Sequence, residues 1–301
     1  MPAISQLLTA TVQALHTHLI ASVVSCATQI DNGWWISGFP ARLAVPTTTS
    51  GAQQVVPIRP VVAAGDDLTV VCDARLAWSL TRIMLRWLDT PVDTLPDDDP
   101  RRRLAAASPV FRRAGVAGPL VDLTVGVGIA TFPVGAPVAT AYDGAADMCR
   151  WAKGHRTEQG WTEHVVAWAR PDRPPVSPVA AVQGRRTVGL TCQPYPGAAF
   201  NDLLEQWLGD TPGSLRSTTH PLARSWIKSL HTLVEQGPAA VHLELSRRNQ
   251  HSRGGPPPEL TGRLTAGRTN ATDWVRRPTP FLDAVELLDL DLQLDPAEVN
   301  Q

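Results

Sequence analysis

Residues Pro57 to Asp73 constrain the fold of this chain more than any other stretch, reading Pro-Ile-Arg-Pro-Val-Val-Ala-Ala-Gly-Asp-Asp-Leu-Thr-Val-Val-Cys-Asp. Two short apolar, β-branched runs, Val61 to Ala64 and Leu68 to Cys72, flank Gly65, Asp66 and Asp67, and this pattern predicts a tight β-hairpin. Its tip carries two adjacent carboxylates, and they admit two readings. Carboxylates held on a rigid element suit a hard divalent cation beside substrate phosphates. Gly and Asp are also ordinary turn residues, so a plain polar turn accounts for the same letters.

The chain has 301 residues, enough for one large domain or two smaller ones. Its formal net charge of −1 gives no electrostatic argument for nucleic acid or membrane binding. Lysine occurs only at Lys153 and Lys228, so the arginine content reads as compositional bias and not as a nucleic-acid patch. Cys26, Cys72, Cys149 and Cys192 lie dozens of residues apart, which excludes a C-x-x-C zinc pattern and reads as structural thiols. The N-terminal apolar segment, Ile4 to Val24, is interrupted by Gln6, Gln13, His16 and His18 and lacks a basic leader. It is expected to be neither signal peptide nor membrane span, with a cytoplasmic location as the default.

Ile4, Leu7, Leu8, Val12, Leu15, Leu19 and Val23 recur at helical spacing and predict an amphipathic helix over 4–27. Asp31-Asn32-Gly33 signals a turn before the apolar run Trp34-Trp35-Ile36. Asp73 sits where an N-cap belongs, ahead of a helical stripe from Leu76 to Leu88. The charge runs at Asp97 to Asp99 and Arg101 to Arg103 predict a solvated, partly mobile insertion. A strand over 121–132 would carry Gly126 and Gly128 on one face, where a helix or a ligand can come close. A helix opening at Pro137 and ending at Lys153, a strand over 163–169 and a proline-rich boundary at 171–178 follow. The remainder reads as mainly helical, with the Leu/Asp segment 281–294 as an amphipathic edge.

Helix, acidic-tipped hairpin, helix, Gly-bearing strand, helix and strand give an α+β class: a ferredoxin-like palm lacking its first strand, then a mainly helical region. The expected domains are the palm at 1–170, a linker at 171–189 and a helical region at 190–301. In this order the chain resembles the second palm domain of the large subunit of type III CRISPR effector complexes, a relative of the GGDEF nucleotidyl cyclases. The resemblance is carried by Pro57-Ile58-Arg59-Pro60 leading into Ala64-Gly65-Asp66-Asp67, where that family has Gly-Gly-Asp-Asp, and by Val70-Val71-Cys72-Asp73. Leu123 to Ala130 resembles the family's following strand, and Ala141-Tyr142-Asp143 through Cys149-Arg150-Trp151-Ala152-Lys153 its phosphate-contacting helix. Leu190 to Tyr195 and Phe281 to Leu288 resemble pieces of the helical region in stand-alone relatives.

The resemblance implies a nucleotidyltransferase or cyclase making cyclic or oligomeric adenylates from ATP, with Mg²⁺ or Mn²⁺ at the palm. Asp66 and Asp67 would be the metal-holding catalytic residues, Gly65 would let the nucleotide approach the backbone, and Lys153 would neutralise its phosphates. The implied partners are a nucleotide, a second palm from a homodimer or another subunit, and an RNA-guided complex, without a membrane. The sequence departs from the family in three ways. Ala64 stands for the first glycine, no strand ending in a metal-binding aspartate precedes the first helix, and there is no His-Asp dipeptide of a nuclease. These departures motivate the alternative, a degenerate, non-catalytic palm acting as nucleotide sensor or structural subunit of a defence complex. RNA binding by the palm or the helical region is a weaker third reading.

Overall fold

The computed structural model describes residues 4–31, 33–47, 53–115, 118–170, 191–251, 256–265 and 279–295. The fold is mixed α+β, with small sheets. It divides into two compact units, Met1–Thr124 with Leu292–Gln301, and Val125–Asp291. The boundary between the units falls between Thr124 and Val125; the expected linker at 171–189 lies outside the described residues.

The first unit opens with α1 (Ile4–Ser25), whose buried residues Leu7, Thr11, Leu15, Leu19, Ser22 and Val23 recur every three or four positions. Thr11 and Ser22 are tolerated there because each hydroxyl donates to a carbonyl one turn back, Leu7 at 2.8 Å and His18 at 2.9 Å. By length and composition alone α1 could cross a membrane; a third of its most apolar window is buried inside the protein. The strands β1 (Ala27–Ile30), β2 (Gly33–Ser37) and β3 (Arg42–Ala44) form an antiparallel meander. The hairpin follows as β4 (Ile58–Ala64) and β5 (Asp67–Cys72). Its inner side chains Ile58, Leu68, Val70 and Cys72 pack on a core shared by Leu15, Leu19, Val23, Ile36, Leu76 and Leu80. Thus the tip projects from a hairpin whose inner face is anchored.

Asp73 caps as predicted. Its carboxylate accepts from the Arg75 backbone N–H at 3.0 Å, starting a short 3₁₀ turn that leads into α2 (Ala77–Leu88). In the 97–103 charge run Asp97, Asp98 and Arg103 are exposed as expected, whereas Asp99 and Arg101 depart from the solvated reading. Asp99 caps α3 (Pro100–Ala107), Pro100 occupies its first turn, and Arg101 is buried with its guanidinium 3.7 Å from the centre of the Trp87 ring. Arg101 also pairs bidentately with Asp99, at 3.0 and 2.7 Å. The prolines and aspartates of this stretch are helix-start chemistry, and the arginine stem supplies buried apolar surface.

After α3 comes a further hairpin, β6 (Arg112–Gly115) with β7 (Gly118–Val121). The first unit is completed only by the returning segment Leu292–Leu294. Ser79, fully buried on α2, donates to the Leu292 carbonyl at 2.8 Å and accepts from the Leu294 N–H at 3.0 Å. Gln293 exchanges two backbone hydrogen bonds with Phe39, each 2.9 Å, and Arg82 donates to the Leu294 carbonyl at 3.0 Å. The sequence reading of 281–294 as one amphipathic edge is corrected here, since its last residues are core of the first unit.

In the second unit β8 (Gly126–Ala130) and β9 (Val165–Ala169) pair in parallel, joined by α4 (Val138–Gln159), and the short β10 (Tyr195–Pro196) pairs antiparallel with β9. Every residue of β9 is buried, as befits the central strand of the three. Gly126 and Gly128 both face α4, and a Cβ on Gly128 would stand 2.0 Å from the Ala145 carbonyl oxygen. The glycine pair therefore serves close backbone packing. Helix α4 does not end at Lys153; it runs on to Gln159 and stops where Gly160 adopts a left-handed φ of 64°. Beyond β10 lie α5 (Gly197–Asp202), continued by a π-helical turn at Leu203–Trp207, then α6 (Arg224–Gln236), α7 (Pro238–His251), α8 (Pro258–Thr265) and α9 (Pro280–Leu287).

Gly128→Ala is expected to destabilise the protein by about 2–3 kcal/mol in chemical denaturation, because backbone on both sides must separate. Gly126→Ala meets chiefly the Lys153 stem, Cγ at 2.5 Å, so its cost should be smaller and should shrink further in a Lys153→Ala background. Ser79→Ala should cost about 1–3 kcal/mol by leaving the Leu292 carbonyl and Leu294 N–H without their buried partner.

Candidate functional site

The hairpin tip is built from backbone chemistry upward. Ala64 pairs with Asp67, so Gly65 and Asp66 form a two-residue loop, with Gly65 at φ 64° in the first loop position. Primed hairpin turns need a positive φ there, and glycine supplies it without steric cost. The space above Gly65 is open, since a Cβ there would meet nothing within 4 Å. Asp66 thus sits in the turn and Asp67 begins β5. A register shift between Pro60 and Val62 marks a bulge lower in β4, where Pro60 has no N–H to give.

Both carboxylates are exposed, and neither makes a hydrogen bond or ion pair with another described side chain. This distinguishes them from Asp73, whose bidentate contact with Arg75 holds it below the usual carboxylate range. Two unengaged neighbouring carboxylates can supply part of an octahedral oxygen shell, leaving other positions to water and phosphate. Among the described residues, no group of three or more His, Cys, Asp or Glu is placed to hold a metal ion. At the base of the hairpin, burial and the adjacent Asp73 push the Cys72 thiol up to about 12, so it stays protonated.

The remaining candidate site residue, Lys153, lies in the second unit. Lys153 is exposed, part-way along α4, with its stem over Gly126. The structure brings Gly65, Asp66 and Asp67 together on one turn and places Lys153 on a different compact unit.

A buried polar cluster in the second unit escaped the sequence reading. Asp283 on α9 accepts from the Tyr195 hydroxyl at 2.6 Å and from the Cys192 backbone N–H at 2.8 Å. Tyr195 stacks on Trp168 of β9, ring centres 5.5 Å apart, and Gln193 accepts from the Trp168 N–H at 2.8 Å. Enclosure of the carboxyl outweighs these donors and pushes Asp283 up to about 7. The same enclosure, with Asp283 beside it, raises Tyr195 well above its ordinary value. With Asp283 and Tyr195 only 1% and 3% exposed, the cluster fastens segment 191–196 to α9 and offers no approach to a substrate. Its trace in the sequence is an aspartate enclosed by Phe281, Leu282, Ala284 and Val285. A buried ion pair, Arg216 to Asp291 at 3.1 Å, similarly hides among leucines.

Comparison with protein-family models, with curated proteins and with solved structures found no match to the chain.

Asp283 binds its proton more tightly in the folded than in the unfolded chain, so its contribution to stability is full below about pH 4 and is lost as pH rises through about 7. Asp283→Asn should remove that dependence: the stability of the natural protein relative to the variant should fall between about pH 4 and pH 8 in urea titrations. Parallel pH profiles would contradict the assignment.

Proposed function

We propose that this chain is a palm-type protein that binds a nucleoside triphosphate, ATP in the first instance, through a divalent cation held by Asp66 and Asp67. The observation that carries the reading is the unengaged pair of carboxylates on a glycine turn whose hairpin is anchored in the core. A hard cation bound there would bridge protein and triphosphate oxygens, because Mg²⁺ and Mn²⁺ favour carboxylate and phosphate ligands and keep several exchangeable positions. The residue order around the tip resembles the palm of the type III CRISPR large subunit, which supports adenylate chemistry in antiviral defence. Phosphoryl transfer rests on positioning and charge stabilisation, and two carboxylates provide only part of that. A second palm, from another copy of this chain or another subunit, supplies the remaining groups in the catalytic form of the proposal.

A second reading keeps nucleotide binding without turnover, as a sensor or structural subunit. It is favoured by the lack of a third acidic side chain grouped with Asp66 and Asp67 among the described residues.

Equilibrium dialysis with labelled ATP and Mn²⁺ or Mg²⁺ tests the shared core of both readings. A component of the binding should appear only with the cation, and Asp66→Ala/Asp67→Ala should weaken that component by about tenfold or more while circular dichroism stays unchanged. Chromatography of the same mixtures separates the two: a cyclic or oligomeric adenylate lost in the variant marks an enzyme, and binding without product marks a sensor. The absence of any cation-dependent component, or a cation-dependent component that the variant leaves intact, would overturn the assignment to the tip.

A further inference from the structure

A shallow, open groove lies between α6 and α7 in the second unit. Along its α6 wall, Ser225, Ser229 and Thr232 recur at i, i+4 and i+7, one exposed helix face. Along its α7 wall stand Glu244, Arg247 and Arg248.

The polar chemistry of the groove is lopsided toward donors. Glu244 accepts from the Trp226 indole at 2.9 Å and from the Arg247 fork at 2.8 and 2.9 Å. These donors hold its carboxyl below the usual range, the Arg247 hydrogen bond foremost, so Glu244 stays ionised as a fixed strut. Arg247 spends two of its five N–H donors on that strut and keeps the rest. Arg248 lies 5.0 Å over the Trp226 ring, and its Nε stands 4.0 Å from Glu244, beyond hydrogen-bond reach. Two guanidinium groups therefore share one carboxylate, leaving a net positive charge. The Ser229 hydroxyl donates to the Trp226 carbonyl at 2.7 Å, whereas the Ser225 and Thr232 hydroxyls donate to no other described residue.

We propose that this groove is a second, metal-independent site, one that takes the phosphate group of a nucleotide-sized ligand. Guanidinium forks match phosphate oxygens in geometry and charge, and the hydroxyl row opposite supplies further donors. Trp226 is 4% exposed and orients the arginines from below, so it offers no face for a stacked base. Recognition is therefore of phosphate and not of the nucleobase. The site stands independently of Asp66 and Asp67, which lie in the other unit and need a cation.

Calorimetric titration of the full chain in EDTA, which silences cation-dependent binding at the hairpin tip, tests this directly. ATP should bind and adenosine should not, and inorganic phosphate should compete if free phosphate suffices. A clear preference for ATP over phosphate would identify a nucleotide ligand, and equal affinity a free-phosphate site. Arg247→Gln/Arg248→Gln should weaken ATP binding in EDTA by about tenfold or more, and Thr232→Glu should do the same by placing a carboxylate in the groove. Asp66→Ala/Asp67→Ala should leave this binding unchanged, so loss of either site is distinguishable from loss of the other. Adenosine binding as well as ATP, no binding in EDTA, or indifference to both groove variants would overturn the proposal.

Discussion

The return of Leu292–Leu294 to the first unit is the constraint on which the rest depends. Residues from opposite ends of the chain must meet before Ser79 finds its partners, before Phe39 and Gln293 exchange hydrogen bonds, and before Leu292 and Leu294 close the core around α1. The second unit, Val125–Asp291, is an excursion between these ends. Such long-range closure costs chain entropy that local contacts cannot offset, and the buried hydrogen bonds at Ser79 fix which segment does the closing. The acidic hairpin packs on the same core, so the rigidity of the tip is inherited from this closure.

The second unit solves a different problem. Its parallel strands need a crossover, and α4 provides it by lying almost directly on the backbone of β8. Glycine at 126 and 128 is the condition for that approach. The Asp283–Tyr195 contact then ties the edge strand to α9, and Arg216 ties its loop to Asp291. Buried polar groups of this kind specify partners more than they add stability, because desolvation opposes their attraction. In both proposed sites, by contrast, the groups put to use are exposed.

Much of the fold was legible because its signals are local. Alternating apolar residues around Gly65 define the hairpin, the Leu7–Leu15–Leu19–Val23 spacing defines α1, and Asp73 announces its helix. Signals depending on distant residues were misread or missed. Arg101 reads as solvated with its neighbours because nothing in the sequence states that Trp87 will receive it. Lys153 read as a helix end because the αL stop at Gly160 was overlooked. Asp291 falls in a segment that reads as an amphipathic edge, and the burial of Asp283 and Asp291 goes unsignalled because their partners, Tyr195 and Arg216, are about seventy to ninety residues away, too far for periodicity to reveal. For the candidate site, the Gly-Asp-Asp turn was visible in the letters, and the groove on α6 and α7 was not, since Glu244, Arg247 and Arg248 gain meaning only opposite Ser225 and Thr232.

The central claim is that Asp66 and Asp67 hold a divalent cation. The most direct measurement is residue-resolved NMR of the labelled chain during addition of substoichiometric Mn²⁺, whose unpaired electrons broaden signals near the ion. The account predicts that the amides of Gly65, Asp66 and Asp67 broaden first and recover when Mg²⁺ is added in excess. Uniform broadening, or broadening centred on another part of the chain while the hairpin tip stays sharp, would contradict it.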